Sequence, residues 1–188
     1  MKIEVKNTKL LFIYRSFLFK NVEFKTKDNN LKPIVKALNI KTRKKRIEYV
    51  YDEAIKYVNE YYLDDLCKFE NNQCVVQRNT GSDRINGCCR TCKLLGDKGC
   101  ISVNLACKLI YCKTALGNLK ELKIHNIPIL KCLSLFQRII LKGAFFNTRE
   151  EILKELNYGM FYSGFRYIKC EVLRDIDKFK ELFVKNKN

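Results

Sequence analysis

Apolar residues recur every three or four positions along the stretch from Arg46 to Leu66. Eight of them fall on one side of a helical projection: Ile47, Val50, Tyr51, Ala54, Ile55, Val58, Tyr61 and Tyr62. This i, i+3, i+4, i+7 pattern is typical of an amphipathic helix that packs one face against a core. We therefore predict a helix over Arg46 to Leu66.

Two apolar stretches precede this helix and one polar stretch separates them. Leu10 to Phe19 is predicted to be helical. A polar break follows at Lys25 to Asn30, and the next apolar stretch covers Pro33 to Ile40. The first part of the chain is therefore expected to be mainly helical.

The chain after residue 112 also has helical periodicity. An apolar stripe follows the boundary that Pro128 marks, and we expect Gly143 to end its helix. The stripe consists of Leu130, Leu133, Leu135, Phe136, Ile139 and Ile140. Further on, Thr148 and Glu151 have the spacing of a capping box and predict a helix that extends to Leu156. A last amphipathic helix is predicted from about Phe165 to Phe183.

The cysteines are concentrated in the middle of the chain. Eight of the ten form one cluster: Cys67, Cys74, Cys88, Cys89, Cys92, Cys100, Cys107 and Cys112. The other two, Cys132 and Cys170, lie within predicted helices and are expected to be small core residues. The single histidine, His125, is too far from the cluster in sequence to indicate a Cys/His finger, and we expect it on a helix surface.

This distribution predicts the organisation of the chain. Residues 1–66 form an N-terminal helical segment, 67–112 a cysteine-rich metal-binding segment and 113–188 a C-terminal helical segment, and we expect one compact unit. The predicted fold class is mainly α, with a small irregular cysteine-rich metal-binding segment that contains a β-hairpin.

The hairpin prediction comes from the residues between the first two cysteines of the cluster. Asn71 and Asn72 tolerate positive φ and suit a two-residue loop. Pairing Glu70 with Gln73 then places Phe69 opposite Cys74. In that register Cys67 and Cys74 are diagonal neighbours on one face, about 7–8 Å apart at Cα. This separation is long for a disulfide and suits two thiolates that bind one metal.

Turn residues surround the later cysteines. Asn86-Gly87 precedes Cys88, and Gly96 to Gly99 precedes Cys100. Glycine lets backbone approach a bound ion and direct N–H groups at thiolate sulfur. Ser102 is expected to cap a helix that carries Cys107. On a continuous helix Cys112 would lie about 140° from Cys107, so both bind one site only if the helix breaks.

Composition adds a strongly basic charge. The chain carries 37 Lys and Arg against 20 Asp and Glu, a formal net charge of +17. A basic surface attracts nucleic acid or an acidic protein partner. The abundance of Lys and Asn also fits an AT-rich coding sequence, so dispersed lysines on solvated faces are the competing interpretation.

One basic run is dense enough to be considered separately. Lys41 to Arg46 contains five cations in six residues and leads into the predicted helix. We interpret it either as a solvated linker or as a phosphate contact. The residues of the second interpretation are Arg43, Lys44, Lys45 and Arg46, with Arg84 and Arg90 expected on the same face.

The expected compartment favours metal ligands over disulfides. Arg15 interrupts the first apolar run, which lacks the pattern of a secretory signal, and no stretch approaches the ~20 apolar residues of a membrane span. We therefore predict a cytoplasmic protein with reduced thiols and no membrane association. Soft thiolate ligands select zinc or iron-sulfur, so the expected cofactor is a 4Fe-4S cluster or Zn²⁺.

The second half of the cluster follows a recognisable order. It contains Cys88-Cys89, Cys92, Leu94-Leu95, Gly99-Cys100 and Cys107-Lys108. This order resembles the YkgJ-type cysteine-cluster family of zinc- or iron-chelating domains over about residues 88–108. The family's Arg-Pro before the last cysteine is replaced here by Val103-Asn104, and its upstream C-x2-C-x2-CC pattern is not reproduced. The resemblance implies metal binding and no particular activity.

Three classes of function remain open at this point. The first is a cysteine-ligated metal-binding protein, with a zinc site or an iron-sulfur cluster. The second is a zinc-stapled nucleic-acid-binding module that uses the basic surface. The third is an enzyme that depends on the metal or cluster, although the sequence contains no Gly-rich phosphate loop and no nucleophile motif.

Overall fold

A computed structural model describes residues 1–16, 18, 21–62, 66, 69–70, 73–75, 79, 94–96, 99–100, 104–111 and 113–158. The N-terminal elements in chain order are β1 (Lys2–Glu4), α1 (Leu11–Ser16), β2 (Glu23–Lys25), α2 (Lys32–Asn39) and α3 (Arg43–Tyr62). The cysteine-rich segment contains β3 (Phe69–Glu70), β4 (Gln73–Cys74), β5 (Leu95–Gly96), β6 (Gly99–Cys100) and α4 (Leu105–Lys108). The C-terminal elements are α5 (Lys113–Leu116), α6 (Leu135–Gly143) and α7 (Arg149–Tyr158). Short 3₁₀ helices cover Asn29–Leu31, Ile124–Asn126 and Pro128–Cys132.

Among the described residues, helix α3 is the longest element, and it carries most of the predicted apolar face. Six of the eight residues predicted for that face are buried: Ile47, Val50, Tyr51, Ala54, Val58 and Tyr62. Ile55 is half-buried, and the expectation is wrong for Tyr61, which is 39% exposed. The helix begins at Arg43, before the predicted start, because the Arg46 N–H donates to Thr42 O at 2.9 Å. The interpretation of the basic run as a linker is therefore wrong, since most of it forms the first turn of α3.

A small parallel sheet near the N-terminus was not predicted. β1 pairs with β2 in parallel, with Ile3 opposite Phe24, and α1 lies in the connection between the strands. Asn39 at the end of α2 completes the outer edge: its Oδ1 accepts the Phe24 N–H and its Nδ2 donates to Phe24 O, both at 2.8 Å. Three-residue strands carry little periodic signal, so this pairing depends on contacts that are distant in sequence.

The predicted apolar stripe after Pro128 is divided between two elements. Leu130 and Leu133 are buried at the 3₁₀ helix Pro128–Cys132, and a new helix, α6, starts after Ser134. Ser134 and Gln137 form a capping box, with Ser134 Oγ accepting the Gln137 N–H at 3.1 Å. This break changes the helical phase. Leu135, Phe136 and Ile139 are consequently 62%, 62% and 51% exposed, so the expectation that the stripe forms one core face is wrong.

The capping box predicted at the start of α7 is confirmed. The Thr148 N–H donates to Glu151 Oε2 at 2.9 Å, and the Glu151 N–H donates to Thr148 Oγ1 at 3.2 Å. The helix buries Ile152 and Leu156 and ends at Tyr158. The predicted helix at Phe165 to Phe183, and Cys170 with it, lies outside the described residues.

The helices of the two flanking segments share one core. Buried side chains from α2 and α3 pack with those of the 3₁₀ helix Pro128–Cys132, α6 and α7. The prediction of a mainly helical chain is confirmed for the described residues. This core is the helical base for the end of the cysteine-rich segment, because α4 packs against α3 and α6.

Candidate metal centre

The first cysteine hairpin has the predicted register. β3 and β4 pair antiparallel, with Phe69 opposite Cys74 and Glu70 opposite Gln73. Cys74 is 7% exposed. The register required by the diagonal placement of Cys67 and Cys74 is therefore confirmed, while Cys67 itself lies outside the described residues.

A second hairpin repeats the arrangement of the first. β5 and β6 pair antiparallel, with Leu95 opposite Cys100 and Gly96 opposite Gly99. In both hairpins an apolar residue lies opposite a cysteine, and two residues separate the inner pair. The sequence contains this signal as FENNQC and LGDKGC, in which an apolar residue precedes a cysteine by five positions. We did not predict this equivalence.

Cys107 lies on the one-turn helix α4, whose N-cap is Asn104 rather than the expected Ser102. The Asn104 Oδ1 accepts the Cys107 N–H at 3.1 Å. The same side chain donates through Nδ2 to Ala144 O at 2.7 Å and to Asn147 O at 2.9 Å. Asn104 is 1% exposed, so this one side chain attaches the turn that carries Cys107 to the helical core.

Two tyrosines of α3 hold the chain on either side of α5. The Tyr51 hydroxyl accepts the Leu105 N–H at 3.2 Å, and the Tyr62 hydroxyl accepts the Leu122 N–H at 2.9 Å. Tyr62 also packs edge-on against Tyr111, with ring centroids 5.0 Å apart. Burial raises the pKa of Tyr51 to about 12, so its hydroxyl stays protonated at neutral pH. Neither Asn104 nor these tyrosines were predicted as positioning residues.

The chain between Cys107 and position 112 is not a continuous helix. α4 ends at Lys108, the Leu109 N–H donates to Ala106 O at 3.3 Å, and α5 begins only at Lys113. The separation of about 140° expected for Cys107 and Cys112 on a continuous helix therefore does not apply. Cys112 itself lies outside the described residues.

Most of the predicted ligands lie in parts of the chain that the structure does not describe. These are Cys67, Cys88, Cys89, Cys92 and Cys112. Cys100 is described by its strand, and Cys74 and Cys107 also by their thiol side chains. Among the described residues, no three His, Cys, Asp or Glu side chains come together as a metal-binding group.

The donors that are described fit a thiolate-bound metal. Cys74 is buried and Cys107 is half-buried. Both are thiols rather than halves of a disulfide. Soft sulfur donors of this kind suit zinc or an iron-sulfur cluster.

Cys132 and His125, which lie outside the cysteine cluster in sequence, are placed as expected. Cys132 is 6% exposed within the shared core, and burial raises the pKa of its thiol to about 12. His125 lies exposed on the 3₁₀ helix Ile124–Asn126. Neither position suggests a ligand of the candidate metal centre.

Only three residues of the predicted nucleic-acid contact are shown to be exposed. Arg43, Lys44 and Lys45 are exposed on the first turn of α3. Arg46 is 8% exposed and its Nη1 donates to Ile40 O at 2.8 Å, at the end of α2. The expectation that Arg46 faces a partner is therefore wrong, because this side chain caps a helix inside the fold. Arg84 and Arg90 lie outside the described residues.

A groove of about 300 Å³ lies between α3 and α7. Its one arginine, Arg149, donates to both carboxylate oxygens of Asp52 at 2.8 and 2.6 Å, and to Glu48 Oε1 at 3.1 Å. The hydrogen bonds to Asp52 raise the pKa of Arg149. Its charge is thus compensated by two carboxylates, so Arg149 is not free to bind an anion in the groove.

The structure also bears on membrane association. Within the described ranges, no helix combines the length and the apolar character needed to cross a membrane.

Comparison with models of known protein families, with curated proteins and with solved structures finds no match to this chain.

Proposed function

We propose that the chain is a cysteine-ligated metal-binding protein whose segment 67–112 holds a 4Fe-4S cluster or Zn²⁺. The observation that carries the proposal is the pair of equivalent hairpins, β3–β4 and β5–β6. Each places a cysteine, Cys74 or Cys100, at the same position of its second strand. Two short hairpins of this kind present sulfur donors from a backbone that a metal can hold together.

The energetics of so small a segment support this proposal. The strands of both hairpins are two residues long, and an isolated hairpin is marginal at best in water. Binding of a structural metal releases about 10–16 kcal/mol, which is comparable with the stability of a whole domain. A thiolate-bound metal would therefore supply the stabilisation that two-residue strands lack.

The helical core also supports Cys107, the third described donor. Asn104 and Tyr51 attach α4 to the core through hydrogen bonds to its first turn, so Cys107 is held on a rigid element. Donors on rigid elements lose less entropy when they bind a metal. Cys67, Cys88, Cys89, Cys92 and Cys112 complete the proposed donor set.

Metal analysis of anaerobically purified protein, with a UV-visible spectrum, tests the proposal. A cluster gives iron, acid-labile sulfide and a brown colour, whereas zinc sites give a colourless protein. Cys74→Ser is expected to lower the metal content, because it removes a buried thiolate. The matched control Cys132→Ala removes an equally buried thiol from the helical core and is expected to leave the metal content unchanged. Protein without metal, or equal loss in both variants, would refute the proposal.

The reducing cytoplasm is the compartment that this proposal requires, since the thiols must be available to the metal. The resemblance of residues 88–108 to the YkgJ-type family agrees with the same chemistry. Neither argument identifies a substrate or a reaction, so the proposed activity is binding alone.

A zinc-stapled nucleic-acid-binding module is the second candidate. It is favoured by the exposure of Arg43, Lys44 and Lys45 together on the first turn of α3. Cations at a helix N-terminus oppose the helix dipole, so helix stability does not explain them. Neutralising these three side chains with Gln should weaken binding to a nucleic acid and reduce the dependence of its affinity on salt. Binding that is insensitive to salt would exclude this candidate.

A further inference from the structure

The small parallel sheet is closed along its β2 edge. Asn39 Oδ1 accepts the Phe24 N–H and Asn39 Nδ2 donates to Phe24 O, so this side chain occupies the outward backbone groups of β2 as a third strand would. A further strand therefore finds no free backbone partner at Phe24.

The β1 edge of the same sheet is open. The Val5 N–H donates to Lys25 O at 2.8 Å, so Val5 and, two positions earlier, Ile3 direct their backbone polar groups towards β2. The N–H and C=O groups of Lys2 and Glu4, which alternate with them, point away from β2. Both residues are exposed, and no described residue forms a hydrogen bond with these outward groups. Such an edge is a template for pairing with another chain.

The solvent face of the sheet carries charges of alternating sign. Lys2 lies opposite Glu23, and Glu4 lies opposite Lys25. Along the strands, Lys25 Nζ lies 3.4 Å from Glu23 Oε1, and Lys6 Nζ lies 3.9 Å from Glu4 Oε2. Within the described part of the chain, Lys2 is left without a carboxylate partner. The open edge therefore presents one positive and one negative side chain, two positions apart.

We propose that the β1 edge pairs with the β1 edge of a second copy of this chain, in antiparallel orientation and with Ile3 on the two-fold axis. In this register Lys2 lies opposite the second copy's Glu4, and Glu4 lies opposite the second copy's Lys2. Each of these pairs exchanges two backbone hydrogen bonds and joins opposite charges. A register centred on Lys2 or on Glu4 would place like charges opposite each other, so within β1 the charges select the register centred on Ile3.

The resulting assembly closes at two copies. Its strands have the order β2, β1, β1, β2, and both outer edges are β2 edges that Asn39 occupies. Both copies use the same surface, as the two-fold symmetry requires. Across the four strands one row of side chains reads Glu23 and Lys2 from one copy, then Glu4 and Lys25 from the second copy. Each neighbouring pair in this row has opposite charges.

The pairing is expected to be weak. Strands of three residues bury less surface than the roughly 800 Å² per partner of a standard stable complex. The net charge of +17 adds repulsion between the copies, which physiological salt screens beyond about 8 Å. We therefore expect a concentration-dependent dimer with a Kd on the order of 100 µM at about 0.15 M salt.

Sedimentation equilibrium of the full-length protein, under anaerobic reducing conditions that exclude intermolecular disulfides, tests this proposal. Lys2→Glu places like charges opposite each other in both pairs and should weaken dimerisation about tenfold. Lys27→Glu is the matched control, because it makes the same change of charge at an exposed position two residues beyond the end of β2. Both variants lower the net charge equally, so a general charge effect would strengthen association in both. Only pairing at the β1 edge predicts weaker dimerisation for Lys2→Glu and no weakening for Lys27→Glu.

A mixture of two variants separates lost pairing from a damaged sheet. Glu4→Lys should also weaken dimerisation about tenfold, since it too opposes like charges. When Lys2→Glu and Glu4→Lys are mixed, every pair between the two copies joins opposite charges again, so a heterodimer should form at least as tightly as the wild-type dimer. A variant that merely unfolds the sheet cannot be rescued in this way. Protein that stays monomeric up to about 1 mM, a Kd unchanged by both variants, weakening by Lys27→Glu as well, or a mixture that does not associate would overturn the proposal.

Discussion

Replacement of Asn104 by Ala tests how the candidate metal centre is attached to the core. The side chain is 1% exposed and makes three hydrogen bonds, two to the carbonyls of Ala144 and Asn147 and one from the Cys107 N–H. Its removal leaves all three backbone groups without this partner. We therefore expect a large loss of stability from a single exchange.

The magnitude follows from the burial of these groups. Loss of an N-cap costs about 1 kcal/mol. Each buried group that loses its partner costs about 1–3 kcal/mol, and the terms are not additive because they share one side chain. We expect Asn104→Ala to lower the free energy of unfolding by about 3–5 kcal/mol, a large part of the ~5–15 kcal/mol of a typical domain.

Urea unfolding followed by circular dichroism measures this loss. Asn126→Ala is the matched control, because Asn126 also accepts a local backbone N–H, from Lys123 at 3.2 Å, but is exposed. Its replacement should change the free energy of unfolding by no more than about 0.5 kcal/mol. If Asn104→Ala lowers the free energy of unfolding by no more than Asn126→Ala does, then burial does not strengthen the contribution of these hydrogen bonds, and the reasoning is refuted.

Three further predictions concern other contacts of the same core. Tyr51→Phe removes the acceptor of the Leu105 N–H and should cost about 1–2 kcal/mol in urea unfolding; an unchanged midpoint would contradict the proposed anchoring of α4. Thr148→Ala removes one half of the capping box with Glu151 and should cost about 1 kcal/mol, whereas unchanged stability would mean that water replaces the cap. Burial raises the pKa of Cys132 from 9.0 to about 12, although nearby guanidinium groups lower it, so the folded state holds this proton more tightly. The contribution of this protonated thiol to stability is complete below pH 9 and is lost as the pH rises towards 12. The wild type should therefore lose stability over that range more steeply than Cys132→Ala. Parallel pH profiles of the two proteins would contradict the raised pKa of Cys132.

Local features of the sequence were sufficient for several elements. The apolar period of α3 places its buried face correctly, because a helix repeats every 3.6 residues whatever packs against it. The register of Phe69 and Cys74 follows from two turn-forming asparagines, since a two-residue loop determines the pairing on both sides. The capping box of Thr148 and Glu151 likewise depends on residues three positions apart.

Features that depend on distant contacts were not predicted. The parallel pair β1–β2 joins residues about twenty positions apart through strands too short to show a period. The sequence places Arg46 in a basic run that was expected to be exposed. In the fold its side chain donates a hydrogen bond to Ile40 O at the end of α2. The stripe after Pro128 looked continuous, but the Ser134–Gln137 capping box starts a new helix within it.

The sequence by itself therefore determined the helical character of the flanks, the cysteine cluster and the geometry of one hairpin. Only the tertiary structure decided which polar side chains are buried at the junctions, including Asn104 at the base of Cys107 and Arg46 at the end of α2. The physical reason is the range of the interactions. Periodicity, turns and caps act over a few residues, whereas burial and charge compensation depend on which segments the folded chain brings together.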